Sequence, residues 1–294
     1  MKPDIIPEHA NIVAADERYK VLTRLETPHA MPCSEPSTNG RTIAIVDVET
    51  AGLDPATDTI IELAVMTLTI DWPTDSRVLS HSKPISWLQD PERELDERIT
   101  MLTGLDNITL QGRAIDDEKV SEILNSASLI IAHNARFDRA FIDKRYPELA
   151  CKAWACSCHE LDWLSMNFDG RSLSHLLMQT GQFNNAHRAA DDVWSLFNLL
   201  TWKPAPVHSR DMPRSLLDRL VEASDEETYR IEAVRAPFKF KDKLKARGYR
   251  WNAVKRVWWT ELRYENFVHE RSWFDEVGLP SFVATPVNAT QRHI

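Results

Sequence analysis

The chain has 294 residues, 43% of them hydrophobic and 27% charged, with a formal net charge of −9. Length and composition fit one sizeable α/β domain plus a smaller unit. No stretch approaches the ~20 consecutive apolar residues that a membrane-spanning helix needs. The Met1–Pro7 segment lacks the apolar centre of a secretory leader, and Cys33, Cys151, Cys156 and Cys158 form no Cys-x-x-Cys pair. Reduced thiols, a cytoplasmic location and no membrane partner are therefore expected.

Residues 1–40 carry Pro3, Pro7, Pro28, Pro32 and Pro36 among polar residues and read as an extended arm, with a short helix over Ala15–Leu25. Thr42–Glu49 opens with Ile43-Ala44-Ile45-Val46 and reads as a buried strand. A second strand follows at Asp58–Ile70 and a third at Arg77–Ile85, joined by turns at Asp54-Pro55 and Trp72-Pro73 into an antiparallel meander. Helical spacing of apolar residues then predicts helices over Glu92–Met101 and Asp116–Asn125.

Leu129–Ala132 reads as a short buried strand, and Asn134 as the N-cap of a helix carrying Asp138, Phe141 and Ile142. Further helices are expected over Leu173–Gln179 and after His187, where Ala190, Val193, Trp194, Phe197 and Leu200 make an apolar stripe. Residues 203–228 hold Pro204, Pro206 and Pro213 and read as a linker with a short helix at Leu216–Ala223. Residues 229–279 read as a compact second module. It would contain a strand at Arg230–Val234, a helix at Lys239–Arg247 stopped by Gly248, a hairpin at Tyr249–Leu262 and a helix at Tyr264–Val277. Residues 280–294 show no periodicity and are expected to form a flexible tail.

Asp47 and Glu49 end the first strand two residues apart, so the period of two puts both on one face. Two buried carboxylates repel each other, and burial penalises both charges. A divalent cation between them reverses that balance, and hard oxygen ligands select magnesium or manganese. Asp138 follows another strand, and Asp192 lies five residues after His187.

These residues make up three motifs: Asp47-Val48-Glu49-Thr50, His133-Asn134-Ala135-Arg136-Phe137-Asp138 and His187-Arg188-Ala189-Ala190-Asp191-Asp192. In content, order and spacing, over roughly residues 42–201, they resemble the DEDDh family of 3′–5′ exonucleases, the DnaQ-like proofreading type. The resemblance implies an RNase H-like α/β fold, a mixed β-sheet flanked by helices, over residues 41–202. It implies two divalent cations, Mg2+ or Mn2+, held by Asp47, Glu49, Asp138 and Asp192, with His187 as general base. The His-to-Asp spacing favours Asp192 over the adjacent Asp191. Ala51 stands where many members carry a second Thr, near the bound 3′ nucleotide. Thr50, Gly52 and Leu53 are candidates for substrate contact, as is Asn134, whose amide also reads as a cap.

The chemistry accounts for these residue types. Water attacks a phosphodiester in line, and two metal ions ~4 Å apart can stabilise both the attacking and the leaving oxygen. An imidazole with an ordinary pKa near 6.5 suits proton removal at neutral pH.

From Glu232 to Arg263 there are ten Lys and Arg against three acids, a net of +7 that leaves −16 for the remainder. Phe238, Phe240, Tyr249, Trp251, Trp258 and Trp259 are interleaved with these cations. The aromatics can form the core of a small unit, while cations such as Lys243, Arg247 and Arg256 meet phosphates. The expected function is a metal-dependent 3′–5′ exonuclease acting on nucleic acid, DNA before RNA, with a polymerase or repair complex as partner. The alternatives are an RNA-trimming exoribonuclease of the same superfamily and a catalytically idle DNA-binding or polymerase-associated subunit.

Overall fold

The computed structural model describes residues 18–33, 39–73, 76–204 and 213–294. It divides into two compact units, residues 1–221 with 293–294, and residues 222–292. The first is built on a mixed sheet of β2 (Gly40–Thr50), β3 (Ile60–Asp71), β4 (Arg77–His81), β5 (Ile85–Leu88), β6 (Leu129–Ala132) and β7 (Trp154–Cys156). The order is β4-β3-β2-β6-β7, with β5 also paired to β3. β3 runs antiparallel to β2, β4 and β5, whereas β6 and β7 continue the sheet in parallel.

β2 is central because both of its faces are apolar. Ile43 and Ile45 pack with Ala189, Val193, Trp194 and Phe197 of the helix Ala189–Thr201. Ala44, Val46 and Val48 pack on the opposite side with Val120 and Leu124 of the helix Asp117–Ser126 and with Phe141 and Ile142 of the helix Ala135–Arg145. Alternation therefore buries β2 between two helical layers. Each fully buried Ile contributes about 1.5–3 kcal/mol.

Several elements differ from the sequence reading. The expected third strand is two strands, because Pro84 cannot donate to a ladder and Ser82 turns inward to accept from the Thr67 N–H through its Oγ at 3.0 Å. The helix expected from Glu92 begins at Glu97, where the Asp96 side chain caps the Arg98 N–H. In the N-terminal arm, residues 1–17 and 34–38 lie outside the described residues, and so does part of the expected Ala15–Leu25 helix. Over the described part the chain is extended. Thr23–Arg24 (β1) pairs in parallel with Gln182–Phe183 (β8), and Leu25 is buried in the main core. The helix Leu216–Asp225 lays Leu216, Leu217, Leu220 and Val221 into that same core.

The second unit is an antiparallel sheet ordered β10-β11-β9-β12: Arg250–Asn252, Val257–Arg263, Thr228–Ala233 and Val283–Val287. Ile231, Ala233 and Trp258 on one face of this sheet cluster with Phe240, Leu244, Tyr249 and Phe274. Phe274 comes from the helix Tyr264–Val277, which stops at Gly278 in the left-handed conformation. The stretch 280–294, expected to be a flexible tail, instead contributes β12 to the sheet, and Arg292 is buried with its Nε donating to Thr228 Oγ1 at 3.2 Å.

Candidate metal centre

Chain geometry brings the acids together. Asp47 and Glu49 share the β2 face that meets the helix Ala189–Thr201, and that helix carries Asp192 in its first turn. The helix Ala135–Arg145 covers the other face but starts directly after β6, the parallel neighbour of β2. Its first turn reaches over the strand end, and the Val48 N–H donates to Asp138 Oδ1 at 3.1 Å.

Carboxylate oxygens of Asp47, Glu49 and Asp192 lie within 4.8 Å of one another. Among the described residues this is the one group of three or more His, Cys, Asp or Glu arranged to hold a cation. Asp191, its neighbour in sequence, is outside the group.

The electrostatics of the group are unfavourable without a cation. Burial, followed by the nearby Asp138, Asp192, Glu49 and Glu62 charges, holds Asp47 well above the usual carboxylate range. Burial, with Asp192 and Glu62, pushes Glu49 up to about 7, while Arg188 opposes the shift. Burial pushes Asp138, only 3% exposed, up to about 8 against the Val48 hydrogen bond. Asp192 rises to about 6 for the same main reason, opposed by the His187 N–H. A divalent cation would relieve this strain, and an all-oxygen donor set fits a hard one.

The remaining predicted residues fall in several places. His187 is exposed, sits at φ 64° and donates its backbone N–H to Asp192 Oδ2 at 2.9 Å. Thr50 is buried and its Oγ1 donates to the Gly52 carbonyl at 2.6 Å. Leu53 projects from the following turn, 82% exposed. Asn134 does not cap its helix as expected. It takes the left-handed conformation at φ 72° and makes no side-chain capping bond. Asn tolerates that region, and the Asn134 carbonyl still accepts from the Phe137 N–H at 2.8 Å. His133 is fixed by Ser157 Oγ at 2.8 Å and the Arg171 carbonyl at 2.7 Å, and burial lowers its pKa to about 4.

One residue at the site escaped the sequence reading. Glu62, on β3, is the register partner of Glu49 and is fully buried. It accepts from Arg188 and from the Ala189 N–H. A lone acid inside the apolar run Ile60–Met66 was its only signal.

In the second unit Lys243 and Arg256 are exposed. Arg247, also expected to meet phosphate, is held by Glu270 Oε2 at 3.1 Å and lies over the Trp273 ring. Across residues 222–292 there are 13 Lys and Arg against 11 Asp and Glu, so the unit carries +2 and leaves −11 elsewhere. The +7 run is thus partly neutralised within its own fold, through ion pairs with acids outside the run such as Arg247–Glu270 and Arg263–Glu226.

The fold is an α/β one, a mixed sheet flanked by helices, with a cluster of acids at the end of its central strand. The model of the RNase_T family, described as Exonuclease, matches residues 44–200, and the chain belongs to this family. The chain is 27% identical over 166 residues to a PolC-type DNA polymerase III of Thermotoga petrophila, covering 51% of this chain and 11% of that protein. It is 31% identical over 114 residues to Ribonuclease T of a Shewanella species, covering 34% of this chain and 50% of that protein. A crystal structure of Escherichia coli exonuclease I with a dA16 oligonucleotide aligns at a TM-score of 0.42 and 17% identity, over 54% of this chain and 40% of that one. The chain thus spans half or less of the curated relatives it matches.

Proposed function

We propose that the protein is a metal-dependent 3′–5′ exonuclease that hydrolyses the terminal phosphodiester of a nucleic acid. The observation that carries this reading is the carboxylate group Asp47, Glu49 and Asp192, gathered within 4.8 Å inside the segment that matches the exonuclease family. Asp47, Glu49 and Asp192 would hold one Mg2+ or Mn2+, and Asp47 with Asp138, directly or through water, would hold a second. Cations held there supply Lewis-acid stabilisation of charge on the phosphate oxygens. His187, on an exposed loop tied to Asp192 through its backbone, removes the proton from the attacking water. Thr50, Gly52 and Leu53 border the terminal nucleotide, with the exposed Leu53 side chain against its base.

The second unit would contribute binding rather than chemistry. Lys239, Lys243, Lys245 and Arg256 are exposed, and Phe238 is exposed with Lys241 Nζ 4.6 Å from its ring centre. Exposed cations and an exposed ring are what a single strand needs for phosphate contact and base stacking. Arg247 is set aside from this surface because Glu270 already holds it.

DNA is the proposed substrate, with a polymerase or repair complex as the partner class; the likeness to a DNA polymerase favours it. The likeness to Ribonuclease T supports RNA as the second reading. Digestion of 3′- and 5′-labelled DNA and RNA, single- and double-stranded, with Mg2+ decides among them. Immediate release of the 3′ label, with the 5′-labelled strand shortening stepwise, is expected. Immediate loss of the 5′ label would refute the polarity.

A further inference from the structure

Glu62 receives two consecutive residues of a distant segment. Its Oε2 accepts from Arg188 Nε at 3.0 Å and from the Ala189 N–H at 3.3 Å, and its Oε1 accepts from Arg188 Nη2 at 3.2 Å. Both carboxylate oxygens are therefore engaged, which accounts for Glu62 lying outside the cation-holding group. A bidentate guanidinium–carboxylate pair fixes orientation as well as distance. Here it joins β3, opposite Glu49, to the residue that directly follows His187. Ala189 opens the helix that carries Asp192, so the same carboxylate also anchors the start of that helix.

The His187 backbone needs such an anchor. At φ 64° it occupies the left-handed region, which a non-glycine residue keeps only where its surroundings impose it. The His187 N–H bond to Asp192 Oδ2 closes the segment on one side, and the Arg188–Glu62 fork closes it on the other. A neutral side chain at position 62 would pack there without adding a like charge beside Asp47, Glu49 and Asp192. What the carboxylate alone offers is simultaneous acceptance of the Arg188 fork and the Ala189 amide.

We propose that Glu62 and Arg188 form a positioning clamp that sets His187 and Asp192 against Asp47 and Glu49. The clamp governs the cation affinity of the acid group and, on the exonuclease reading above, the rate of the chemical step. Neither residue touches substrate in this account; each acts through His187 and Asp192.

The test uses the full-length wild type with Arg188→Ala, Arg188→Lys, Glu62→Gln and the Glu62→Gln/Arg188→Ala double variant. Mn2+ affinity is measured by electron paramagnetic resonance titration without substrate. Hydrolysis is then measured at saturating Mn2+ to separate kcat from KM. Arg188→Ala should weaken Mn2+ binding roughly 10–100-fold and lower kcat with little change in KM, as for lost partners of metal ligands. Arg188→Lys keeps the charge but not the fork and should fall between Arg188→Ala and the wild type. The double variant should be no worse than the poorer single one, because the two residues act as a unit.

Unchanged Mn2+ affinity and kcat in both Arg188 variants, or losses that multiply in the double variant, would overturn the clamp. So would a lowered melting temperature with cation affinity intact. A wild type that binds Mn2+ but hydrolyses nothing would instead refute the exonuclease reading, while the affinity of Arg188→Ala still decides the clamp.

Discussion

At the scale of single residues, the site is held together against its own charge. Without a cation the folded protein keeps protons on Asp192, Glu49 and Asp138, raised to about 6, 7 and 8, that the unfolded chain has already lost. Raised acids contribute stability that is fully present below pH about 4 and is lost as pH rises through 6 to 8. Thermal melts in EDTA should therefore show a falling melting temperature between pH 5 and 8.5. Mg2+ should raise it more at pH 8 than at pH 5, since cation and proton compete for the same oxygens. Asp138→Asn keeps an oxygen for the Val48 N–H and should flatten the pH dependence while sharply reducing hydrolysis. A profile as steep as that of the wild type would show that Asp138 does not carry the effect. His187→Ala should lower kcat by ~10²–10⁴-fold with Mn2+ affinity retained, by rapid-quench kinetics beside a binding titration. An unchanged kcat would remove His187 as the base.

Much of this site was legible because its residues declare themselves locally. Asp47 and Glu49 follow from a period of two, and the resemblance to the exonuclease family, through its His-to-Asp spacing, implies Asp192 rather than Asp191. Glu62 did not declare itself, because its role depends on the register of β3 against β2 and on a partner 126 positions away. Asn134 was legible as a helix boundary but not as a left-handed residue, since Asn favours both caps and that conformation.

At the scale of elements, long periodic segments were readable and short or interrupted ones were not. β2, β3 and the helix Ala189–Thr201 bury enough apolar residues to impose a pattern. β7 has three residues, too few for any period. β12 contains Pro286, which argues against a central strand but is tolerated here at the sheet edge.

The turn after β2 shows how one element constrains another. A Cβ on Gly52 would meet Asp58 Oδ2 at 2.2 Å. That carboxylate cannot step aside, because it accepts from the Asp54 N–H at 2.8 Å and from Arg93 Nη2 at 2.6 Å. Gly52→Ala should therefore cost about 1–3 kcal/mol in urea unfolding, the usual penalty for overpacking. Adding Asp58→Ala should recover part of that loss. Wild-type stability in Gly52→Ala would show that the turn is slack.

At the scale of the whole molecule, two units of different charge share one chain. The unit bearing the acid cluster carries −11 and should repel a polyanion except where cations are held, whereas the smaller unit carries +2 and exposes Lys239, Lys243, Lys245 and Arg256. If that surface binds nucleic acid, Lys243→Glu with Arg256→Glu should weaken binding to long single strands and make the logarithmic salt dependence shallower by about 1.4. Cleavage of a di- or trinucleotide should be nearly unchanged. Equal binding across a salt series would leave the small unit as an interaction or stability element. Its local basic run was plain in the sequence; its near-neutrality was not, because the unit begins at Glu222 and so takes in Glu222, Asp225, Glu226 and Glu227 beside the acids of the helix Tyr264–Val277.

The most direct test of the central claim is nucleotide release from a 3′-labelled oligonucleotide by wild type and Asp47→Ala, each with Mg2+ and with excess EDTA. Release is expected only from the wild type with Mg2+, because Asp47 is one of the three acids gathered within 4.8 Å and its charge also meets that of Asp138. Equal release in EDTA, or by Asp47→Ala, would contradict it.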